Sequence, residues 1–300
     1  MYDVRCVVND KNLLAEGPVW SETEDALYWL DCLLPRPTLH RWHPKSDQHA
    51  QWALPDVVAS LALRESGGVL LAARTGLHFF DPSTGELHLA CVLEPEHPMN
   101  RCNDGKCDRR GRFWVGTMQN NVDDNGEELA ISPTAGSLFR FDPDGRHTKM
   151  DSGFGISNTL AWSPDNKTMY FGDTMAAHIY AYDFDLESGV VSNRRIFANI
   201  REYGFGDGST IDSEGFLWNA RWDGGCLLRI APDGRIDRVV PLPVQRPTSC
   251  AFGGENLDIL YVTSARFGLR ESELAQQPLA GGIFAVDVGV RGLPEPRFAG

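Results

Sequence analysis

Four oxygen-bearing side chains stand at matching places in four similar segments of the chain: Glu16 in AEGPVWS, Asn103 in RCNDGKCD, Asn158 in SNTLAWSPD and Asp207 in GDGSTIDSEG. Carboxylate and amide oxygens that converge from separate segments suit a hard divalent cation with positions left open for water or substrate. Each residue also has an ordinary reading. Asp and Asn beside Gly are common in turns, and Glu16 before Gly17 and Pro18 would serve to end a loop. Spacing alone leaves both readings open. Other chemistries have weaker support. The eight His are scattered without a His-x-His or His-Glu-x-x-His pattern, and no Gly-x-Ser-x-Gly elbow is present, which disfavours zinc-histidine and serine-triad hydrolysis. Seven Cys without a Cys-x-x-Cys pair suggest neither a disulfide framework nor a thiolate zinc site. Cys102 and Cys107 are therefore expected to be buried, reduced thiols.

The elements that must position these residues form a repeat. A short strand, a polar turn and a second aromatic or β-branched strand recur along the chain. The second strands are LYWLD (27 to 31), VLLAA (69 to 73), FWVGT (113 to 117), MYFGD (169 to 173), FLWNA (216 to 220) and ILYVT (259 to 263). With Tyr28, Leu70, Trp114, Tyr170, Leu217 and Tyr261 taken as equivalent, the intervals are 42, 44, 56, 47 and 44 residues, the size of a propeller blade. Turns such as DRRGR, SPDNK and DSEG supply the positive φ angles that hairpins require. The pattern predicts an all-β fold: one six-bladed β-propeller domain over residues 1–300, with four-stranded antiparallel blades and VRCVV (4 to 8) pairing with the last blade to close the ring. The innermost strand of each blade then lines the channel, which places the segments around Glu16, Ser60, Asn103, Asn158, Asp207 and Thr248 on the axis.

Composition bounds the partners. The chain has 28 Lys and Arg against 41 Asp and Glu, and a formal charge of −13 disfavours nucleic acid and anionic membrane surfaces. The first residues, MYDVRCVVND, lack the basic start and apolar run of a signal peptide, and no later run is long enough to span a bilayer, so a cytoplasmic location is expected.

Five blocks, AEGPVW, RCNDGKCDRRGRFWVGTM, SNTLAWSPD, DGSTIDSEGFLW and TSARFGLRESELAQQPLAGGIFAV, resemble the senescence marker protein 30, gluconolactonase and regucalcin-like family, in that family's order and over nearly the entire chain. The resemblance implies a six-bladed propeller with one divalent metal ion on its axis, held by Glu16, Asn158 and Asp207. It implies a metal-dependent sugar lactonase with a small-molecule lactone as partner, Asp207 as the catalytic base, and Arg101 and Asn103 beside the substrate. Calcium, zinc, manganese, magnesium and iron(II) all fit oxygen-only ligation. A calcium-binding regulatory role, attached to some relatives, is the alternative.

Three departures from the family pattern bear on the site. Thr159 follows Asn158 where Gly is usual, and because a β-branched residue disfavours positive φ, a shifted backbone is expected there. Gly206 precedes Asp207 where Pro is usual, and Cys102 replaces a common Pro. The longest irregular segment, residues 119 to 136, is expected to be a flexible polar lid that sets substrate range rather than stability. Within it Asn121, Asp123, Asn125 and Gly126 imitate half of a calcium loop, but Ser132 stands where a bidentate Glu is needed.

Overall fold

The computed structural model describes residues 2–33, 35–124 and 126–300. It contains six four-stranded antiparallel sheets arranged as blades. Their inner strands are Ala15–Ser21, Val58–Leu63, Asn100–Cys107, Ser157–Trp162, Phe205–Ile211 and Pro247–Gly253, and the blades are numbered one to six in that order. The expected second strands hold that position in every blade, as Ala26–Asp31, Val69–Ala73, Phe113–Gln119, Thr168–Asp173, Leu217–Trp222 and Ile259–Ser264. The strand Val4–Val8 pairs with Ile283–Asp287 as the outermost strand of blade six, so the two ends of the chain close the ring. Among the described residues the helical element is one turn, Glu271–Leu274, and no helix is long and apolar enough to cross a membrane.

The second strands are mostly apolar because both of their faces are buried between neighbouring blades. Alternation divides them. Leu27 and Trp29 pack with residues of blades five and six, whereas Tyr28 and Leu30 pack with Val58, Leu61 and Leu71 of blade two. Trp114 and Leu138 of blade three meet Phe171 and Tyr182 of blade four in the same way. Outer strands are polar, as in Val190–Asn199, where most residues are exposed.

All six inner strands carry a register shift against their second strands. It falls between Glu16 and Val19, Val58 and Ser60, Cys102 and Gly105, Asn158 and Ala161, Gly206 and Ser209, and Pro247 and Ser249. A bulge re-aims side chains and bends its strand. Here it recurs at one level of the channel.

Beneath the channel the last residues cross from blade to blade. Gly292 bridges to Asp212 of blade five, Glu295 pairs with Lys106 of blade three at 3.5 Å, and Phe298 bridges to Arg64 of blade two. This strap closes the end of the channel opposite to the candidate residues, a role that periodicity did not announce.

Candidate functional site

The bulges hold the candidate residues. Glu16 and Asn158 each occupy the first position of one, and Asn103 and Asp207 lie inside two others. The residue after each of the first pair has a left-handed backbone, with φ of 56° at Gly17 and 58° at Thr159. The shifted backbone expected from Thr159 is therefore not found. Two contacts keep this β-branched residue in a conformation that it disfavours. Its Oγ1 donates to the Asp207 carbonyl at 2.6 Å, and Gly172 opposite leaves room, since a Cβ there would lie 2.9 Å from Thr159 Cβ.

A hydrogen-bonded chain links three blades. Arg101 is buried, and its Nη1 donates to Asn103 Oδ1 at 2.8 Å. Asn103 Nδ2 donates to the Ser157 carbonyl at 2.9 Å and to Asn158 Oδ1 at 3.2 Å. Asn158 Nδ2 donates to Thr174 Oγ1 at 2.8 Å, and that hydroxyl donates to the Gly206 carbonyl at 2.6 Å. The Asn158 amide is thus oriented by its donor end, which leaves its oxygen with a spare lone pair.

The carboxylates are arranged differently. Glu16 and Asp207 make no ion pair with Lys, Arg or His among the described residues, and neither does Asp104. Burial pushes the Glu16 carboxyl well above the usual range, and the negative charges of Asp207 and Asp104 push it further. Burial and then Asp104 do the same to Asp207, with the Gly208 amide and then Arg221 giving a partial offset. Asp104 rises to about 6, chiefly through burial, although Lys106 and the backbone amides of Gly105 and Leu160 favour its charged form. Three acidic groups facing one channel repel one another, and each is costly to ionise away from water. A hard divalent cation relieves both penalties, and the oxygens of Glu16, Asn158 and Asp207 fit such an ion.

Asp104 is the residue that sequence reasoning missed. Strict alternation sends it to the face opposite Asn103, but the bulge between Cys102 and Gly105 breaks alternation, and Asp104 accepts from the Leu160 amide of blade four at 3.3 Å. Its only signal was adjacency to Asn103 in the block RCNDGKCD.

The segment above Arg101 is anchored more firmly than a flexible lid. Val122 is fully buried against residues of blades one and two, and Asn121 Oδ1 accepts from Arg101 Nη2 at 2.8 Å. Arg74 pairs with Asp124 at 2.8 Å. In the half calcium loop, Asp123 Oδ1 accepts from the Glu127 amide at 2.8 Å, which makes this stretch a self-capped turn, and Asn125 lies outside the described residues. Beside Arg101 a cavity of about 640 Å³ opens between blades two and three, lined also by Asn100, Thr117 and Asn120. All seven Cys are free. Cys102 and Cys107 are buried as expected, and burial pushes the Cys102 thiol up to about 12, far from a reactive thiolate.

Comparisons with known proteins agree with this architecture. Residues 14–266 match the family described as the SMP-30/gluconolactonase/LRE-like region. A 6-deoxy-6-sulfogluconolactonase from Pseudomonas putida is 40% identical over 305 residues, covering 99% of both chains. Regucalcin from Xenopus laevis is 36% identical over 303 residues, covering 99% of this chain and 98% of that one. The crystal structure of a calcium-binding regucalcin from Agrobacterium tumefaciens superposes with a TM-score of 0.91 at 31% identity, covering 99% of this chain and 97% of that one. A six-bladed ring, the family match over residues 14–266 and a 40% identical relative aligned over 99% of the chain together establish that the chain belongs to the SMP-30/gluconolactonase/LRE-like family.

Proposed function

We propose that the chain hydrolyses a sugar lactone to the corresponding aldonic acid, with Glu16, Asn158 and Asp207 holding one divalent cation and Arg101 and Asn103 positioning the substrate. One observation carries this reading: Glu16 and Asp207 face a common channel beside an amide oxygen, without an ion pair among the described residues to neutralise them. When bound there, a divalent cation supplies Lewis-acid polarisation of the lactone carbonyl.

The chain's own groups do the rest. Asp207 takes a proton from water as the water oxygen adds to the carbonyl carbon. The bond from that carbon to the ring oxygen then breaks. The ring oxygen leaves as a hydroxyl, protonated by the proton that Asp207 holds, and the product is the open-chain acid. Glu16 stays a ligand. Arg101 and Asn103 form one wall of the site and offer a polyhydroxylated ring fixed donors and acceptors.

The competing reading is a calcium-binding regulatory protein, favoured by the regucalcin relatives. Acid release separates the two. Metal-stripped protein is given fresh lactone with calcium, zinc, manganese, magnesium or iron(II) added singly, against a control without protein, because such lactones also open spontaneously. The panel includes gluconolactone and its 6-deoxy-6-sulfo analogue, which the Pseudomonas putida relative's name suggests. Release above the control with at least one metal supports the lactonase. Metal binding with no release above the control for any lactone supports the regulatory reading.

A further inference from the structure

Away from the channel, a second group of metal-ligating side chains comes together on blade one. Asp10, His40 and His49 place one ligand atom each within 4.8 Å of one another. His40 belongs to the third strand, Thr38–His43, and His49 to the outer strand, Gln48–Ala53. Their antiparallel register sets His40 opposite Gln51, so His49, two residues before Gln51, shares its face. Asp10 arrives from elsewhere in the ring, two residues beyond the strand Val4–Val8 that closes blade six.

The separations approach those of a coordination polyhedron, with His49 turning Nε2 toward His40 and Nδ1, at 3.3 Å, toward Asp10. His40 Nδ1 lies 3.0 Å from His49 Nε2 and 3.6 Å from Asp10 Oδ2. Ligands around a tetrahedral zinc ion with bonds of about 2.0–2.1 Å are separated by roughly 3.3 Å. The ring of His40 is stacked on Trp29, with centroids 4.7 Å apart and planes at 12°, which fixes the direction of Nδ1. Its Nε2 is buried without a partner, so every polar contact of the ring runs through Nδ1. Gln51 Nε2 donates to Asp10 Oδ2 at 3.2 Å and orients the carboxylate, as outer groups do around metal ligands. The site opens on solvent, with the His49 and Asp10 side chains 20% and 30% exposed.

We propose that Asp10, His40 and His49 form a second metal site, separate from the channel, which takes a divalent first-row transition ion such as zinc and pins the ring-closing segment to blade one. Two imidazoles and one carboxylate suit zinc, cobalt or nickel, whereas the all-oxygen set of the channel suits harder ions. Three protein ligands leave the fourth position to water. The ion ties the segment that follows the ring-closing strand to blade one, and so stabilises the closed ring by binding to the folded state alone.

Zinc alone, titrated into the metal-stripped full chain, tests the proposal. By calorimetry and metal analysis the wild type binds one more zinc ion than His49→Ala. Cobalt(II) gives the visible bands of a four-coordinate, histidine-bound ion in the wild type and in Asp207→Ala, and loses them in His49→Ala, which separates this site from the channel. At a hundredfold excess of zinc over its Kd, the Tm contribution of this site is roughly 4 °C in the wild type and absent in His49→Ala. Lactone hydrolysis is the same in both. Should His49→Ala fail to fold, Asp10→Asn, altered at the most exposed ligand, carries the same comparison. Equal zinc stoichiometry and affinity in the wild type and the folded variant would overturn the site.

Discussion

Asp207 and Asp212 lie five residues apart in blade five, both buried, at opposite ends of one inner strand. Asp212 is saturated. It accepts from Arg229 Nε at 2.8 Å, Trp218 Nε1 at 2.9 Å, and the amides of Glu214 and Phe216 at 3.0 Å each. Blade three repeats the device: Asp108 accepts from Arg112 Nε at 2.6 Å, Trp114 Nε1 at 2.8 Å and the Arg110 amide at 2.9 Å. Among the described residues Asp207 has no side-chain donor of this kind, only the neighbouring Gly208 amide, and its charge is set against those of Glu16 and Asp104. One residue type therefore does opposite work at the two ends of the strand. A buried carboxylate whose lone pairs are all taken rigidifies a hairpin, whereas one left unpaired among like charges is costly to the fold and useful to a cation.

That contrast can be broken most directly at Asp207. Asp207→Asn keeps the size and one ligating oxygen but loses charge and basicity, so kcat should drop by roughly 10² to 10⁴-fold at saturating metal. The metal-free variant should melt slightly above the metal-free wild type, because a repelling charge is gone. Calorimetric scans with and without chelator read this, and chelator should lower the Tm of the metal-loaded wild type by more than that of the variant. Near-normal kcat in folded, metal-loaded Asp207→Asn would pass the proton to another group, Glu16 or Asp104.

Asp212→Ala should show the reverse. It strands Trp218 Nε1 and the amides of Glu214 and Phe216, while Arg229 keeps Glu214 and Asp237, and about 2–4 kcal/mol of stability should be lost by urea unfolding, with activity per folded molecule retained. Loss of activity at unchanged stability would dissolve the distinction between the two ends.

A smaller effect separates two neighbours above Arg101. Val122→Ala should cost about 1–3 kcal/mol by opening a cavity between blades one and two, with KM little changed. Asn121→Ala frees Arg101 and should raise KM about tenfold while Tm hardly moves. Identical effects of the two substitutions on Tm and KM would mean that the segment acts as one unit.

The smallest effect concerns Thr159. Thr159→Gly relieves a left-handed backbone, worth roughly 1–2 kcal/mol, but removes a hydroxyl that donates to the Asp207 carbonyl and accepts from Asn219 Nδ2 and Ser209 Oγ, so its stability should fall by no more than about 1 kcal/mol. Thr159→Val keeps the strain and loses the same three hydrogen bonds, and should be about 1–2 kcal/mol less stable than Thr159→Gly. Equal stability of the two variants would remove the strain from the account.

Blade number, strand order and ring closure were legible in the chain because each rests on local pattern. LYWLD and its five counterparts are apolar on both faces, and that composition reports burial between blades without knowledge of the partner blade. Glu16, Asn103, Asn158 and Asp207 were legible as equivalent positions for the same reason. The bulges were not, since a register shift belongs to the pairing of two strands and neither strand shows it alone. Asp104 was lost to that shift, and Thr159 was misjudged because its backbone is held by the Asp207 carbonyl of the next blade and by the space over Gly172.

Residue types and repeat spacing by themselves determined a ring of six blades with an oxygen-rich axis, because hydrophobic alternation and turn chemistry act over a few residues. Which carboxylates stay unpaired on that axis, where the last residues close it beneath, and how Asp10 meets His40 and His49 across the closing seam were decided only by tertiary structure. Each depends on groups distant in sequence, and their distances and charges exist only once the blades have closed on one another.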